Sequence, residues 1–245
     1  MKINKITITG ADDRTKISDL VQLQKDYPFV EWGILFSKEQ GRPRYPSLEW
    51  IAELQEAKLP ALSAHLCGQF SRDIMQSGNE RFFTEPQFCA GQFKRIQLNY
   101  NFTNTPFDLK YLEEIVEKRW EYAFILQYNK SNSKTVETVM KTMTFQNIHV
   151  LYDASGGRGR EIEVIPQPFD FFYTGYSGGL SPSNIEQVCE KVKALNAKDD
   201  QLFGPNNPLP WVWLDMESGV RTDDVFDLDK IKKVLEIAAK YVEVN

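Results

Sequence analysis

The chain is poor in the residues that most specialised chemistries need. Of its 245 residues, three are cysteine and two are histidine. Cys67, Cys89 and Cys189 are odd in number, widely spaced and form no CxxC pair, which excludes a disulfide framework. His65 and His149 have no histidine or cysteine at ligand spacing, so no metal site is expected. No run approaches 18 apolar residues, so nothing is expected to span a membrane. Met1–Gly10 alternates Ile with Thr, Asn and Lys and lacks the apolar stretch of a secretion signal, so the expected location is the cytoplasm. The net charge is −5 and no long Lys/Arg run exists, which leaves no electrostatic footprint for nucleic acid. What is present is a globular composition, with 42% hydrophobic and 26% charged residues.

The organising signal is alternation between short apolar runs and segments of helical period. Strands are predicted at Ile3–Thr9, Phe29–Ser37, Pro60–Cys67, Arg95–Tyr100, Tyr122–Tyr128, Ile148–Asp153, Phe171–Tyr176 and Trp211–Met216. Helical stripes follow most of them. Asp12 or Asp13 is the expected cap of the first helix and Ser47 of the second. Leu109, Leu112, Ile115 and Val116 mark one helix face, and Ser181-Pro182 reads as N-cap and first helical residue of another. Eight such units in one chain predict parallel strands closed into a single-domain (β/α)8 TIM barrel over residues 1–245. The alternative, an open doubly wound sheet, normally carries a GxGxxG turn after its first strand; here the turn is Thr9-Gly10-Ala11-Asp12. The sixth unit shows no legible long helix, because residues 155–170 are rich in Gly and Pro.

In a barrel, functional groups sit at the C-terminal strand ends and in the loops beyond them. Ser177-Gly178-Gly179-Leu180 and Glu217-Ser218-Gly219-Val220 close the seventh and eighth strands. Glycines let consecutive N–H groups converge on an anion at a helix start, so the pair predicts a phosphate cradle; a lone tight turn is the alternative. Asp153 ends the sixth strand and precedes Gly156, Gly157, Arg158, Gly159 and Arg160, a loop able to approach an oxyanion closely; a solvated turn is the alternative. Trp32, Trp50, Trp120, Trp211 and Trp213 are expected in the core, and His149 reads as structural. His65 stays open between the two roles, and Asp215 could serve to orient loop-eight backbone.

These residues, taken in order, resemble phosphoribosylanthranilate isomerase. Lys5-Ile6-Thr7-Ile8-Thr9-Gly10 resembles its opening strand, which ends Ile-Cys-Gly. Gly33-Ile34-Leu35-Phe36 with Arg42-Pro43-Arg44-Tyr45-Pro46-Ser47 resembles its second strand and Ser-Pro-Arg loop, and Ile96-Gln97-Leu98 its Val-Gln-Leu. Leu151-Tyr152-Asp153, then Gly156-Gly157-Arg158-Gly159-Arg160, is similar to Leu-Leu-Asp and Gly-Gly-Thr-Gly-Lys. Gly178-Gly179-Leu180-Ser181-Pro182-Ser183-Asn184 is similar to Gly-Gly-Leu-Thr-Pro-Glu-Asn, and Leu214-Asp215-Met216-Glu217-Ser218-Gly219-Val220 to Leu-Asp-Val-Ser-Ser-Gly-Val. The resemblance implies an Amadori rearrangement of a phosphorylated sugar without a cofactor, by a monomer or homodimer. Asp153 would be the acid, Arg44 a clamp for a substrate carboxylate, and Gly178, Gly179, Ser218 and Gly219 the phosphate loops.

Two positions depart from that pattern. The family's base is the cysteine at the first strand end, where this chain has Thr9, whose hydroxyl is too weak a base unaided. Cys67, at the third strand end, is the available substitute. Glu217 stands where the family has a small Ser, and would repel a dianion unless paired with Arg158, Arg160 or Arg221. Two other functions therefore stay open: a phosphosugar-binding relative without catalysis, and a different isomerase or lyase on the same scaffold, with Lys38 as the nearest candidate for Schiff-base chemistry. Extra residues appear near Gly78–Phe93 and Asn196–Pro210, and the second stretch reads as a plain long loop.

Overall fold

The computed structural model describes residues 1–143, 145–153, 164–169, 172–203 and 211–243, with 196–203 described by backbone alone. Eight strands, β1 (Lys2–Thr9), β2 (Val30–Phe36), β3 (Leu62–Cys67), β4 (Arg95–Asn99), β5 (Ala123–Tyr128), β6 (Ile148–Asp153), β7 (Thr174–Ser177) and β8 (Trp211–Met216), pair in chain order, all parallel. β8 pairs back onto β1 and closes the barrel. The helices are α1 (Ile17–Asp26), α2 (Leu48–Glu56), α3 (Gln69–Ser77), the single turn α4 (Arg81–Thr84), α5 (Leu109–Lys118), α6 (Ser133–Thr142), α7 (Ile185–Phe203) and α8 (Leu228–Ala238). The fold is a single-domain (β/α)8 barrel.

Strand side chains alternate between two faces, which gives the barrel two separate cores. Ile6, Ile8, Ile34, Ala64, Ile96, Phe124 and Leu214 face outward and are fully buried under the helices. Ile125, Leu151 and Trp213 form a second cluster with Tyr173 inside the barrel. Below the mouth the interior is charged. Glu31, 1% exposed, accepts hydrogen bonds from Lys5 Nζ at 3.0 Å and Thr7 Oγ1 at 2.9 Å. The guanidinium of Arg95 lies 3.1 Å from the same carboxylate and 4.0 Å from the Trp213 ring centroid. Burial alone would raise the Glu31 pKa; Arg95, Lys5 and Thr7 outweigh it and hold the carboxyl below its usual range. This ion cluster fills space that aliphatic side chains occupy in most barrels.

Capping explains several helix starts. Ser47 Oγ accepts from Trp50 N, Asp108 from Lys110 N and Asp227 from Lys230 N. At the first helix the sequence expectation is corrected: α1 has no side-chain cap, and Asp12 and Asp13 bind residues of the next loop instead. Ser181 does head the seventh helix region, since its carbonyl accepts from Ile185 N at 3.0 Å. Asn184 Oδ1 accepts from Ser181 N at 2.9 Å, the return half of a capping box.

The stretch expected to be a plain long loop begins as helix. α7 runs on to Phe203, past Asn196. The Gly78–Phe93 stretch makes short helical turns that bury Phe82, Phe88 and Phe93 against Phe36, with ring centroids 4.9–6.3 Å apart. Trp120 is 79% exposed beyond the end of α5, so it is not a core residue; Trp32, Trp50 and Trp213 are buried. The described residues between β6 and β7 contribute no helix.

Candidate functional site

The C-terminal strand ends enclose a cavity of about 820 Å³. Gly156, Gly157 and Arg158, expected to contribute to substrate binding, lie outside the described residues, as does the Gly159-Arg160 pair. The other expected positions can be placed.

The turns after β7 and β8 touch. Gly178 and Gly179 have φ of +129° and +60°, and Asn184 Nδ2 donates to the Gly179 carbonyl at 2.9 Å, pinning the turn to the start of α7. Ser218–Val220 form one 3-10 turn after β8. The α-carbon of Gly219 packs so closely on loop seven that a Cβ there would lie 2.0 Å from the Leu180 carbonyl oxygen. Gly178, Gly179 and Ser218 line the cavity.

Asp153 and Asp215 stand at the last inward positions of β6 and β8. Ser177 is the Cα partner of both, so the two carboxyls flank one residue of β7 at the cavity floor. Asp153 is 4% and Asp215 5% exposed. Thr9 Oγ1 donates to Asp215 Oδ1 at 3.2 Å, and Oδ2 has no hydrogen-bond partner among the described residues. Burial pushes the Asp215 carboxyl well above the usual carboxylate range, and the charges of Glu31 and Glu217 push the same way against Arg95 and Thr9. Asp215 therefore holds a proton at pH values where an exposed aspartate has lost it. Thr9 reaches it because β2 carries Gly33 alongside: a Cβ at that position would lie 2.3 Å from Thr9 Oγ1.

His65 and Cys67 project from β3. His65 Nε2 is 2.8 Å from Ser63 Oγ and 4.0 Å from Asp215 Oδ2. Burial, reinforced by Arg95 and opposed by Glu31, pushes its pKa down to about 3, so the ring is neutral. Cys67 Sγ accepts from Asn99 Nδ2 at 3.0 Å, and burial pushes the thiol up to about 11. A thiol held that high supplies little thiolate near neutral pH.

Arg44 is held by its neighbours. Arg42-Pro43-Arg44-Tyr45 is a tight turn in which Tyr45 N donates to the Arg42 carbonyl. Arg44 occupies its third position with φ of +74°, a place that usually takes glycine. Its backbone N–H donates to Asp12 Oδ2 at 2.8 Å. Its side chain donates through Nη1 to Glu217 Oε1 at 2.7 Å and through Nε to Asp224 Oδ1 at 2.6 Å. Arg221 completes the tie, donating to the Gly10 carbonyl, to Asp12 and to the Asp224 carbonyl. Burial would raise the Asp12 pKa, but the hydrogen bonds from Arg14 and the Arg44 N–H bring it down to about 2. Loops one, two and eight are thus joined at the rim. Among the described residues, Glu217 pairs with Arg44; of the three arginines considered from sequence, Arg158 and Arg160 lie outside the described residues.

No local pattern marks Asp215 for more than orienting loop-eight backbone, or Glu31 for the barrel interior. The available signal was spacing: Trp213 and Asp215 are two apart, so both face the barrel interior, and an inward carboxyl at a strand end belongs in the mouth. Among the described residues, no group of three or more His, Cys, Asp or Glu side chains is placed to hold a metal ion, and no helix is long and apolar enough to cross a membrane.

No protein-family model matches the chain, and no curated protein matches it in sequence. Solved structures do match. A phosphoribosylanthranilate isomerase from Thermotoga maritima superposes with a TM-score of 0.58 at 18% identity, covering 97% of this chain and 99% of that one. A phosphoribosylanthranilate isomerase in complex with reduced 1-(o-carboxyphenylamino)-1-deoxyribulose 5-phosphate gives the same score and identity over 97% and 100%. The enzyme from Pyrococcus furiosus follows at 0.55 and 14% identity, over 97% and 99%. At these identities the likeness establishes the barrel fold.

Proposed function

We propose that the chain binds a phosphorylated sugar at the barrel mouth and isomerises it by acid–base catalysis. The observation that carries this reading is the placement of two buried carboxyls, Asp153 and Asp215, on either side of Ser177 and next to two touching glycine turns. The turns after β7 and β8 supply backbone N–H groups for a phosphate at the foot of α7. The carboxyls serve the sugar carbons.

The chemistry that suits the pair is the opening and rearrangement of an N-glycoside, the reaction type that the resemblance implies. Asp153 gives its proton to the ring oxygen. The C1–O bond breaks, and the nitrogen lone pair forms a C=N bond to C1. A base then removes the C2 proton, and the C–H electrons form a C1–C2 double bond as the C=N electrons return to nitrogen. Transfer of the enol proton to C1 yields the 1-amino-1-deoxyketose. Asp215 is the base. Thr9, at the strand-one end, has a hydroxyl that donates to Asp215, so strand eight supplies the basic group there. A carboxylate with a raised pKa is a stronger proton acceptor in its ionised form, and burial raises that of Asp215. Cys67, held up to about 11, is left as a packing and polar-contact residue.

The test is turnover of 5-phosphoribosylamine N-glycosides to the aminodeoxyketose, followed by chromatography. Wild type is expected to turn over at least one of them, with Asp153→Asn and Asp215→Asn each losing at least about 100-fold, the lower end of general acid–base contributions. Turnover preserved in both variants refutes the assignment. A second reading, binding without catalysis, is favoured by Thr9 in place of a strong base; phosphosugar binding by calorimetry without consumption would identify it.

A further inference from the structure

Glu217 is the last residue before the Ser218–Val220 turn and lines the same cavity as Ser218. A bare carboxylate there opposes an anion at the turn. The side chain has loop one behind it: a Cβ on Gly10 would lie 3.5 Å from Glu217 Cγ. Its charge also reaches the cavity floor, where it adds to the effect of burial and of Glu31 in pushing the Asp215 carboxyl up. Arg44 Nη1 donates to Glu217 Oε1 at 2.7 Å. Among the described residues no other cation, Lys130 in the same cavity included, lies within ion-pair distance of Glu217. The rest of the rim cluster is paired without it. Asp12 pairs with Arg14 and Arg221, and Asp224 with Arg44 and Arg221. Removing Arg44 would leave Asp12 and Asp224 each with an arginine, and Glu217 with none.

Resting on the phosphosugar reading, we infer that Arg44 is a positioning residue of the phosphate site: it neutralises Glu217 beside the β8 turn, so that the two glycine turns can take an anion. Arg44 acts through Glu217 and does not itself hold the ligand. Two of its guanidinium nitrogens already donate to protein carboxylates, and its backbone N–H is fixed on Asp12. A half-exposed ion pair of this kind adds little to stability, so what the pair changes is the charge next to Ser218. Repulsion scales with the product of the charges, so a phosphate dianion feels the loss of Arg44 most strongly.

Calorimetric titration of the full chain with inorganic phosphate at about pH 8, where phosphate is largely dianionic, tests this. Arg44→Gly, which suits the positive φ at that position, is expected to weaken binding at least about tenfold. Adding Glu217→Gln to it is expected to bring the affinity back to within about threefold of wild type, because the charge that Arg44 covered is gone. Glu217→Gln alone is expected to bind phosphate as tightly as wild type or tighter. An arginine that merely held the rim would give no such recovery, since the double variant has lost that tie as well, and neither would an arginine that touched the phosphate. The inference is overturned if folded Arg44→Gly binds as wild type does, or if the double variant stays as weak as Arg44→Gly. It is also overturned if Glu217→Gln alone weakens binding, a result that needs no change at Arg44. The two levels separate: if wild type binds phosphate and the Arg44 variants fail the pattern, only the role of Arg44 falls, whereas if wild type binds none, the phosphate site falls and takes this inference with it.

Discussion

Gly219→Ala isolates the contact between the two turns from everything else at the mouth. Gly219 has no positive φ, so alanine meets no backbone strain there and the added methyl is the whole perturbation. That methyl would lie 2.0 Å from the Leu180 carbonyl oxygen and 2.9 Å from Ser181 Cβ. An ordinary contact needs about 3.4 Å, so the turns must separate by more than 1 Å. Neither obstacle is the tip of a flexible side chain, so backbone has to move. Overpacking of this kind costs about 1–3 kcal/mol. In a domain of this size that lowers Tm by about 2–4 °C per kcal/mol. Anion binding is expected to suffer more, because a cradle made of two turns loses its geometry when they part. Calorimetric titration with inorganic phosphate is expected to show at least a tenfold weakening. Gly91→Ala is the matched control: nothing lies within 4 Å of a Cβ there, and it should change neither Tm nor binding. A Gly219→Ala protein that binds phosphate as wild type does would refute the cradle.

The buried Asp215 makes stability depend on pH with a defined sign. Its folded pKa is raised above the ordinary value of about 3.9, so the folded state binds the proton more tightly. That contribution is complete below about pH 4 and is lost as pH climbs through the raised value. Wild type is therefore expected to lose urea stability relative to Asp215→Asn as pH rises from 4 toward 9; a constant difference between the two proteins contradicts this. Glu31→Gln removes the shared partner of Lys5 and Arg95 at the barrel floor and is expected to cost about 3–5 kcal/mol by urea denaturation, with a loss under 1 kcal/mol ruling out a paired cluster. Arg44→Gly relieves a positive φ costing about 1 kcal/mol and gives up two half-exposed ion pairs worth about 0.2–1 kcal/mol each, so stability should stay within about 1 kcal/mol of wild type. A loss above 2 kcal/mol would mean that Arg44 holds the rim together.

The barrel was legible because alternation survives in single sequences. β6 and β8 lie on the spans expected, Ile148–Asp153 and Trp211–Met216. β7 starts three residues later than expected: the aromatic run before Thr174 reads as strand, yet Tyr173 is used at the barrel floor against Trp213, at a 4.7 Å centroid distance. The glycine turns were legible because positive φ at Gly178 and Gly179 and close backbone approach at Gly219 both call for glycine. Asp12 and Asp13 were misread because a carboxylate before a helix looks like a cap, and only the fold brings Arg44, Ser47 and Arg221 to them. The same limit hid Asp215 and the tie between Arg44 and Glu217. A carboxyl's chemistry depends on burial and on partners up to two hundred residues away in the chain, which no local pattern records.

The central claim is that one phosphosugar spans the glycine turns and the Asp153–Asp215 pair. The most direct measurement is a crystal structure of the full chain with ribose 5-phosphate. The account predicts phosphate oxygens within hydrogen-bond reach, about 2.7–3.2 Å, of backbone nitrogens in residues 178–180 and 218–219, with the sugar carbons between the two carboxyls. A phosphate seated elsewhere in the mouth, or a sugar lying away from both Asp153 and Asp215, would contradict it.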